Sequence, residues 1–121
     1  SDVYKRQDLR RARSAAENII PTSTGAAKAT TLIVPELEGL FDGMAVRVPT
    51  PVGSLSDIVF VTKKGTTVEE INRVLIRESE TERYRGILAT TSDPVVSSDI
   101  VGRRESSIVD LSLTNVIGVG T

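Results

Sequence analysis

The strongest constraint on the fold is a helix pattern at residues 67–80 with strand-like segments on both sides of it. Thr67-Val-Glu-Glu70 is a capping box, in which the Thr67 hydroxyl accepts from a first-turn amide and Glu70 reaches back. Apolar residues then recur at helical spacing: Val68, Ile71, Val74 and Leu75. The pattern therefore predicts a capped helix that packs one apolar face against strands.

The segments around this helix alternate apolar and polar residues, which is typical of strands. In the first of them Met44, Val46 and Val48 share one face, and Arg47 lies on the other. Further strands are predicted at 54–62, 87–91, 95–97, 107–111 and 114–118. The fold class predicted from these patterns is α+β, with an antiparallel or mixed sheet and helices packed on one face.

The N-terminal part of the chain is predicted to be helical. Residues 8–20 are rich in Arg and Ala, Asp8 is able to cap their start, and Pro21 interrupts them. Residues 22–25 form a hydroxyl-rich turn, and a short helix is predicted over residues 26–34. Its expected inner face consists of Ala27, Leu32 and Ile33.

The 121-residue chain contains no cysteine and no histidine. It therefore has no thiolate nucleophile, no imidazole base and no cysteine or histidine metal ligand, and no metal site is expected. Its 15 basic and 16 acidic residues give a net charge of −1, so neither nucleic acid nor an anionic membrane is expected as a partner. No apolar run approaches the ~18 residues that a membrane span needs.

Three features of the sequence suit a phosphate group. Thr24-Gly25 precedes a predicted helix, whose free amides and positive dipole end attract anions. Guanidinium groups form planar, charge-assisted pairs of hydrogen bonds with phosphate. The second feature is a cluster of arginines close upstream of this turn: Arg10, Arg11 and Arg13. The third is Arg47, which lies on a predicted strand. At helical spacing Arg10 and Arg13 share a face. Each feature by itself is more often a helix cap, a solvated face or a surface ion pair, so spacing alone indicates a candidate anion site and nothing more specific.

The two ends of the sequence differ from the rest. Residues 1–7 share no pattern with the remainder of the chain, and residues 2–7 resemble the translation of a transposon-end adapter used in preparing sequencing libraries. A disordered native terminus is the alternative. Without this head, 13 basic and 15 acidic residues remain, a net charge of −2. Residues 115–121 stop in an apolar strand pattern, so residues 8–121 are expected to be a partial domain truncated at both ends.

The order of several blocks carries a resemblance to a known family. Asp8-Leu-Arg-Arg-Ala-Arg13, Ile19-Ile-Pro-Thr-Ser-Thr-Gly-Ala-Ala-Lys28 and Met44-Ala-Val-Arg-Val-Pro-Thr-Pro51 succeed one another along the chain. Further blocks continue in the same order at residues 34–37, 67–72, 86–88, 94–99 and 106–110. Together they closely resemble the catalytic domain of the glyceraldehyde-3-phosphate dehydrogenases, from Asp8 to about Ile117.

This resemblance implies roles for four residues, each carried over by its position in a block. Arg11, the second arginine of the first block, would bind the substrate phosphate. Thr24 and Gly25 would bind the phosphate sites through a hydroxyl and an amide. Arg47 would bind both the substrate phosphate and inorganic phosphate.

The resemblance also implies what the chain lacks. Family members use a Cys nucleophile to form a thiohemiacetal, pass a hydride to the nicotinamide and release the product by attack of phosphate, with a His as base. Neither residue type occurs here, and no glycine-rich dinucleotide motif comes after a strand. The 121 residues are therefore expected to contain no catalytic residue, to bind no cofactor alone and to be inactive by themselves.

The intact parent implied by the resemblance is a phosphorylating enzyme that uses NAD or NADP. It would oxidise glyceraldehyde 3-phosphate to 1,3-bisphosphoglycerate in glycolysis or gluconeogenesis, with inorganic phosphate as the second substrate. Family members are cytoplasmic homotetramers, and residues 8–16 would form the end of a loop at the tetramer core.

Two other functions stay open on the sequence alone. One is a naturally truncated, non-catalytic module that binds phosphate or a protein partner, favoured by apolar residues left exposed near Val116 and Ile117. The other is a nucleic-acid binder, suggested by the cluster of arginines at residues 10–13. The net negative charge and the scarcity of aromatic residues argue against it.

Overall fold

A computed structural model describes residues 8–118 of the chain, in two compact units that meet in sequence after Pro51. The predicted non-native head at residues 1–7 and the last residues of the 115–121 segment lie outside the described residues. The first unit contains β1 (Ile20–Ser23), α1 (Ala26–Ile33), a 3-10 helix (Pro35–Leu37) and β2 (Met44–Arg47). The second contains α2 (Val68–Glu80), β3 (Leu88–Thr91), α3 (Ser97–Ile100), β4 (Ser107–Asp110) and a 3-10 helix (Leu111–Leu113).

The first unit is built on an antiparallel pair of strands. β1 pairs with β2 from Ile20 opposite Arg47 to Ser23 opposite Met44. Among the described residues Ile20 is the one buried side chain, with 6% of its surface exposed. The strand predicted around Met44–Val48 is thus confirmed, and α1 matches the helix predicted over residues 26–34.

The predicted helix over residues 8–20 is wrong. Residues 8–17 form turns, with one helical turn closed by the Ala12 amide donating to the Asp8 carbonyl at 2.9 Å. At its other end, Ile20 belongs to β1 rather than to a helix. A short helix is marginal because nucleation is costly, and backbone pairing with β2 competes successfully for the last residues of the segment.

The second unit places α2 beside a parallel pair of strands. β3 pairs with β4 in register from Leu88 opposite Ser107 to Thr91 opposite Asp110. Parallel neighbours need a crossover connection, which residues 92–106 supply. α2 begins as predicted, because the Glu70 amide donates to Thr67 Oγ1 at 3.2 Å and the Thr67 amide donates to the Glu70 carboxylate at 3.3 Å.

The half-buried side chains of α2 form the expected helical stripe, with one exception. They recur three and four residues apart: Val68, Ile71, Asn72, Leu75, Glu78 and Ser79. Val74, predicted on the same apolar face, is 47% exposed. α2 contacts β3, which is half-buried throughout, so this helix and the β3–β4 pair form the second unit's partial core.

A polar clasp joins α2 to the segment after β4. Asn72 Nδ2 donates to the Leu111 carbonyl oxygen at 3.0 Å, and Thr114 Oγ1 donates to Asn72 Oδ1 at 2.7 Å. Both bonds are partly buried and link residues about forty positions apart in the chain. Asn72 therefore uses both ends of its amide to hold the C-terminal segment against the helix.

Three predicted strands of the second unit are wrong. Residues 54–62 and 114–118 form no strand, and residues 95–97 lead into α3, whose first turn is held by the Val96 amide donating to Asp99 Oδ2 at 2.7 Å. A strand is stable only when a neighbour satisfies its backbone groups. Within residues 8–118 no segment pairs with 54–62, and its apolar side chains are exposed: Leu55, Ile58, Val59, Phe60 and Val61.

The α+β class is confirmed, and the sheets are mixed as predicted, one pair antiparallel and one parallel. The expected inner face of α1 is largely uncovered, with Ala27 half-buried but Leu32 and Ile33 exposed. The described residues thus carry much apolar surface that no described element covers.

Replacing Asn72 with Ala should loosen the second unit. The change removes both hydrogen bonds of the clasp and leaves the Leu111 carbonyl without its partner, at a cost of about 2 kcal/mol in the free energy of local opening. Native-state hydrogen exchange of the α2 and β4 amides measures this directly. Thr114→Val, which removes one bond only, should cost about half as much; unchanged exchange in Asn72→Ala would contradict the assignment.

Candidate functional site

The Arg11 guanidinium lies against the C-terminal end of β1. Its Nε donates to Thr22 Oγ1 at 2.6 Å, and its Nη2 lies 3.3 Å from the Ser23 carbonyl oxygen and 3.2 Å from Ser23 Oγ. The side chain of Arg11 is 42% exposed, so the group is held in place but open to a ligand. Because Ser23 directly precedes Thr24-Gly25, these contacts bring Arg11 to the turn that the sequence singled out.

The backbone before Arg11 is held by Asp8. Asp8 Oδ1 accepts from the Arg10 amide at 2.9 Å and from the Arg11 amide at 3.2 Å, and Asp8 Oδ2 lies 3.6 Å from Arg11 Nε. The Arg11 amide first, and the Arg10 amide next, hold the pKa of the Asp8 carboxyl below its usual value, and the charge of Arg11 adds to the effect. Asp8 therefore acts as the predicted cap, but of a single turn.

Arg11 keeps donors for a ligand. A guanidinium carries five N–H donors in a planar fork. Within residues 8–118, Nε and Nη2 are engaged by β1, and Nη1 makes no hydrogen bond. The anchors on β1 are neutral oxygens, so they orient the group without cancelling its charge.

The Thr24-Gly25 turn leads into α1 with an open backbone. Thr24 Oγ1 accepts from the Ala26 amide at 3.1 Å, and the Gly25 carbonyl accepts from the Ala29 amide at 2.9 Å. No atom lies within 4 Å of where a Gly25 Cβ would stand, and the first turn of α1 has no acidic residue. The Ala27 and Lys28 amides of α1 and the Thr24 hydroxyl hydrogen are thus available to an anion.

Arg47 lies at the other end of the same pair of strands. It stands opposite Ile20, three residues along the ladder from the Ser23–Met44 pair, which is about 10 Å. Since strand side chains alternate and paired residues share a face, one face carries Ile20, Thr22, Ala45 and Arg47. Arg47 is exposed and forms no ion pair within the described part of the chain. The structure therefore puts Arg47 on the face where Thr22 anchors Arg11, with a spacing that suits two separate anionic groups.

Within the described residues, the side chains of the other two arginines of the N-terminal cluster make no hydrogen bond to β1. No helix forms over residues 8–20, so the helical face predicted for Arg10 and Arg13 does not exist. Sequence reasoning missed Thr22 and Ser23 as partners of Arg11. Their position in a hydroxyl-rich segment was visible, but the contact depends on the turn at Asp8, which folds Arg11 back on the strand.

The family of the chain follows from its sequence. Residues 1–120 match the sequence model described as glyceraldehyde 3-phosphate dehydrogenase, C-terminal domain. The chain belongs to this family. The resemblance found in its ordered blocks is therefore confirmed.

Curated relatives give the same result. The chain is similar to the glyceraldehyde-3-phosphate dehydrogenase of Borreliella burgdorferi, with 57% identity over 114 residues that cover 93% of the chain and 34% of the relative. It is also similar to the Geobacillus stearothermophilus glyceraldehyde-3-phosphate dehydrogenase, with 53% identity over 111 residues that cover 92% of the chain and 33% of the relative. The chain thus spans about a third of the length of these dehydrogenases.

Membrane-spanning and metal-binding features are both missing from residues 8–118. No helix in this range is long and apolar enough to cross a membrane. No group of three or more acidic, histidine or cysteine side chains in the same range is placed to hold a metal ion.

The pKa of Asp8 should lie below its ordinary value of 3.8, because its charged form accepts two backbone amides. Because the pKa is lower in the folded chain than in the unfolded chain, the ionised carboxylate stabilises the turn at pH values above its ordinary pKa. This stabilisation is lost as the pH falls through the lowered pKa. NMR titration of the Asp8 carboxyl carbon measures it. Arg11→Ala keeps the main donor, the residue 11 amide, so the pKa should stay below 3.8; a complete return to 3.8 would show that the amides are not the cause.

Proposed function

We propose that this chain is the phosphate-binding part of the catalytic domain of a phosphorylating glyceraldehyde-3-phosphate dehydrogenase. The intact enzyme would oxidise glyceraldehyde 3-phosphate to 1,3-bisphosphoglycerate in glycolysis or gluconeogenesis, with NAD or NADP as hydride acceptor. The observation that carries the proposal is the Arg11 guanidinium held beside the Thr24-Gly25 turn.

The chain's own residues would bind and orient phosphate. Arg11 offers Nη1, Thr24 its hydroxyl hydrogen and Gly25 a backbone approach free of any side chain. Charge-assisted hydrogen bonds of this kind are the strong ones, and the positive end of α1 favours the same anion. The resemblance implies the substrate phosphate at Arg11, but we propose instead that this end of the ladder holds inorganic phosphate and that the substrate phosphate lies at Arg47.

Arg47 would hold the second anionic group. Its place about 10 Å along the ladder fits the phosphate of glyceraldehyde 3-phosphate, whose reacting carbon must then lie between the two phosphates. As the resemblance implies, Arg47 would also contribute to the binding of inorganic phosphate, and across this distance it would do so mainly through its charge. The two arginines would thus set the ends of the substrate site.

The remaining steps need residues from the rest of the protein. The chain has no Cys or His for covalent catalysis and proton transfer. It also has no GxGxxG motif, so the dinucleotide site of the proposed enzyme would depend on other parts of the protein. We propose that the intact enzyme is a cytoplasmic homotetramer, in which the exposed apolar side chains of α1 and residues 54–62 are covered by the rest of the protein.

The same exposed apolar surface favours one alternative, a non-catalytic module that binds phosphate or another protein. The DNA that flanks codons 8 and 121 in the source sample separates the two. A Cys-Thr-Thr-Asn-like segment and a glycine-rich nucleotide fold upstream are expected for the dehydrogenase. A start codon directly before codon 8 with a stop after codon 121 would establish the alternative. The same DNA tests whether residues 1–7 derive from an adapter.

Arg11→Ala in the intact protein should raise the KM for inorganic phosphate by roughly 10- to 100-fold, the loss expected for a charge-assisted contact. Steady-state kinetics with varied phosphate measure the change. Arg10→Ala is the matched control, because Arg10 is the adjacent exposed arginine and its side chain forms no hydrogen bond within the described residues. An equal response of the two variants would refute the assignment.

Arg47→Ala should lower kcat/KM for glyceraldehyde 3-phosphate by a similar factor of roughly 10 to 100, and it should change the KM for inorganic phosphate less. The two substrates are varied separately to distinguish the effects. Arg13→Ala serves as the control that removes one positive charge from the same unit. If Arg47→Ala changes the KM for inorganic phosphate more than it changes kcat/KM for glyceraldehyde 3-phosphate, the two phosphates must be assigned to the opposite ends of the ladder.

A further inference from the structure

The shortest contact of Arg11 is made by a residue that no phosphate role explains. Thr22 Oγ1 accepts from Arg11 Nε at 2.6 Å, whereas the Ser23 and Asp8 oxygens lie at 3.2 Å or beyond. Thr22 is half-buried in β1, and its backbone position is fixed by pairing with Ala45. A rigid strand residue thus holds the inner edge of a long, flexible side chain.

A free arginine side chain loses much of its rotamer entropy when it is immobilised, and this loss weakens binding. If the loss occurs before the ligand arrives, binding is stronger by part of that amount. Arg11 Nε also forms an ion pair with Asp8 Oδ2 at 3.6 Å, but the neutral Thr22 hydroxyl makes the shorter contact, and neither of them occupies Nη1. The contact therefore has the properties of an anchor for a phosphate-binding group.

We propose that Thr22 is a positioning residue for Arg11. Its hydroxyl fixes the Nε edge of the guanidinium to β1 and leaves Nη1 for phosphate. This inference rests on the proposed function, because it takes Arg11 as the group that binds inorganic phosphate. Thr22 itself touches no substrate.

The test compares two substitutions of Thr22 in the intact protein. Thr22→Val keeps the size and the β-branched shape that suit a strand but removes the acceptor, while Thr22→Ser keeps the acceptor and loses a methyl group. Thr22→Val should raise the KM for inorganic phosphate about tenfold with little change in kcat at saturating phosphate. Thr22→Ser should stay within about twofold of the unmodified protein. If Thr22 matters only as a strand residue, the order is reversed, with Val harmless and Ser worse.

A double variant separates this inference from the proposed function. In an Arg11→Ala background, Thr22→Val should have no further effect on the KM for phosphate, because the anchored group is absent. If Arg11→Ala alone changes nothing, the proposed function fails. If Arg11→Ala raises the KM but Thr22→Val does not, only the positioning role fails.

A measurement on the unsubstituted protein guards against misfolded variants. The Nε–H of Arg11, observed by ¹⁵N NMR, should exchange with water more slowly than that of Arg10, since only the former donates to a half-buried hydroxyl. Equal exchange rates would overturn the anchor whatever the variants show.

Discussion

Everything in the first unit depends on the antiparallel pairing of β1 with β2. It places Ile20 where its side chain is covered, and it fixes the positions of Thr22 and Arg47 on a common face. The strand ends at Ser23, so the backbone must turn at Thr24-Gly25 before α1 begins. Arg47 therefore stands on a paired strand, Arg11 is anchored to one through Thr22, and Thr24-Gly25 directly follow one.

The same pairing explains why a thinly covered domain can still present an ordered site. Apolar side chains on α1 and on residues 54–62 face solvent within the described part of the chain, so burial contributes little there. Hydrogen bonds contribute more to local order. In the first unit these are the bonds of the Asp8 turn and the Thr22 contact with Arg11, and in the second unit the Asn72 clasp. Each of these contacts is made within the chain itself, between residues of a single unit.

In the proposed enzyme, phosphate binding and covalent catalysis would be carried out by different parts of the protein. This part of the chain would supply Arg11 and the free amides of α1 at the end of β1, and Arg47 at a backbone position about 10 Å along the ladder. It has neither Cys nor His, so a thiol nucleophile and an imidazole base would have to come from elsewhere in the proposed enzyme. Binding and covalent chemistry would therefore come from different stretches of one polypeptide, joined only when the domain is complete.

Local patterns in the amino-acid sequence were enough to predict the α+β class, the capped helix α2, β2 and the family, because capping boxes, alternation and ordered blocks can be read without knowing any distant neighbour. They also pointed to Arg11, Thr24, Gly25 and Arg47 as candidates. The packed chain was needed to show that residues 8–17 turn back instead of forming a helix, and that 54–62 stay unpaired within the described residues. Both outcomes depend on which distant backbone groups are available as partners, and a strand or an anchored arginine has no local signal for that.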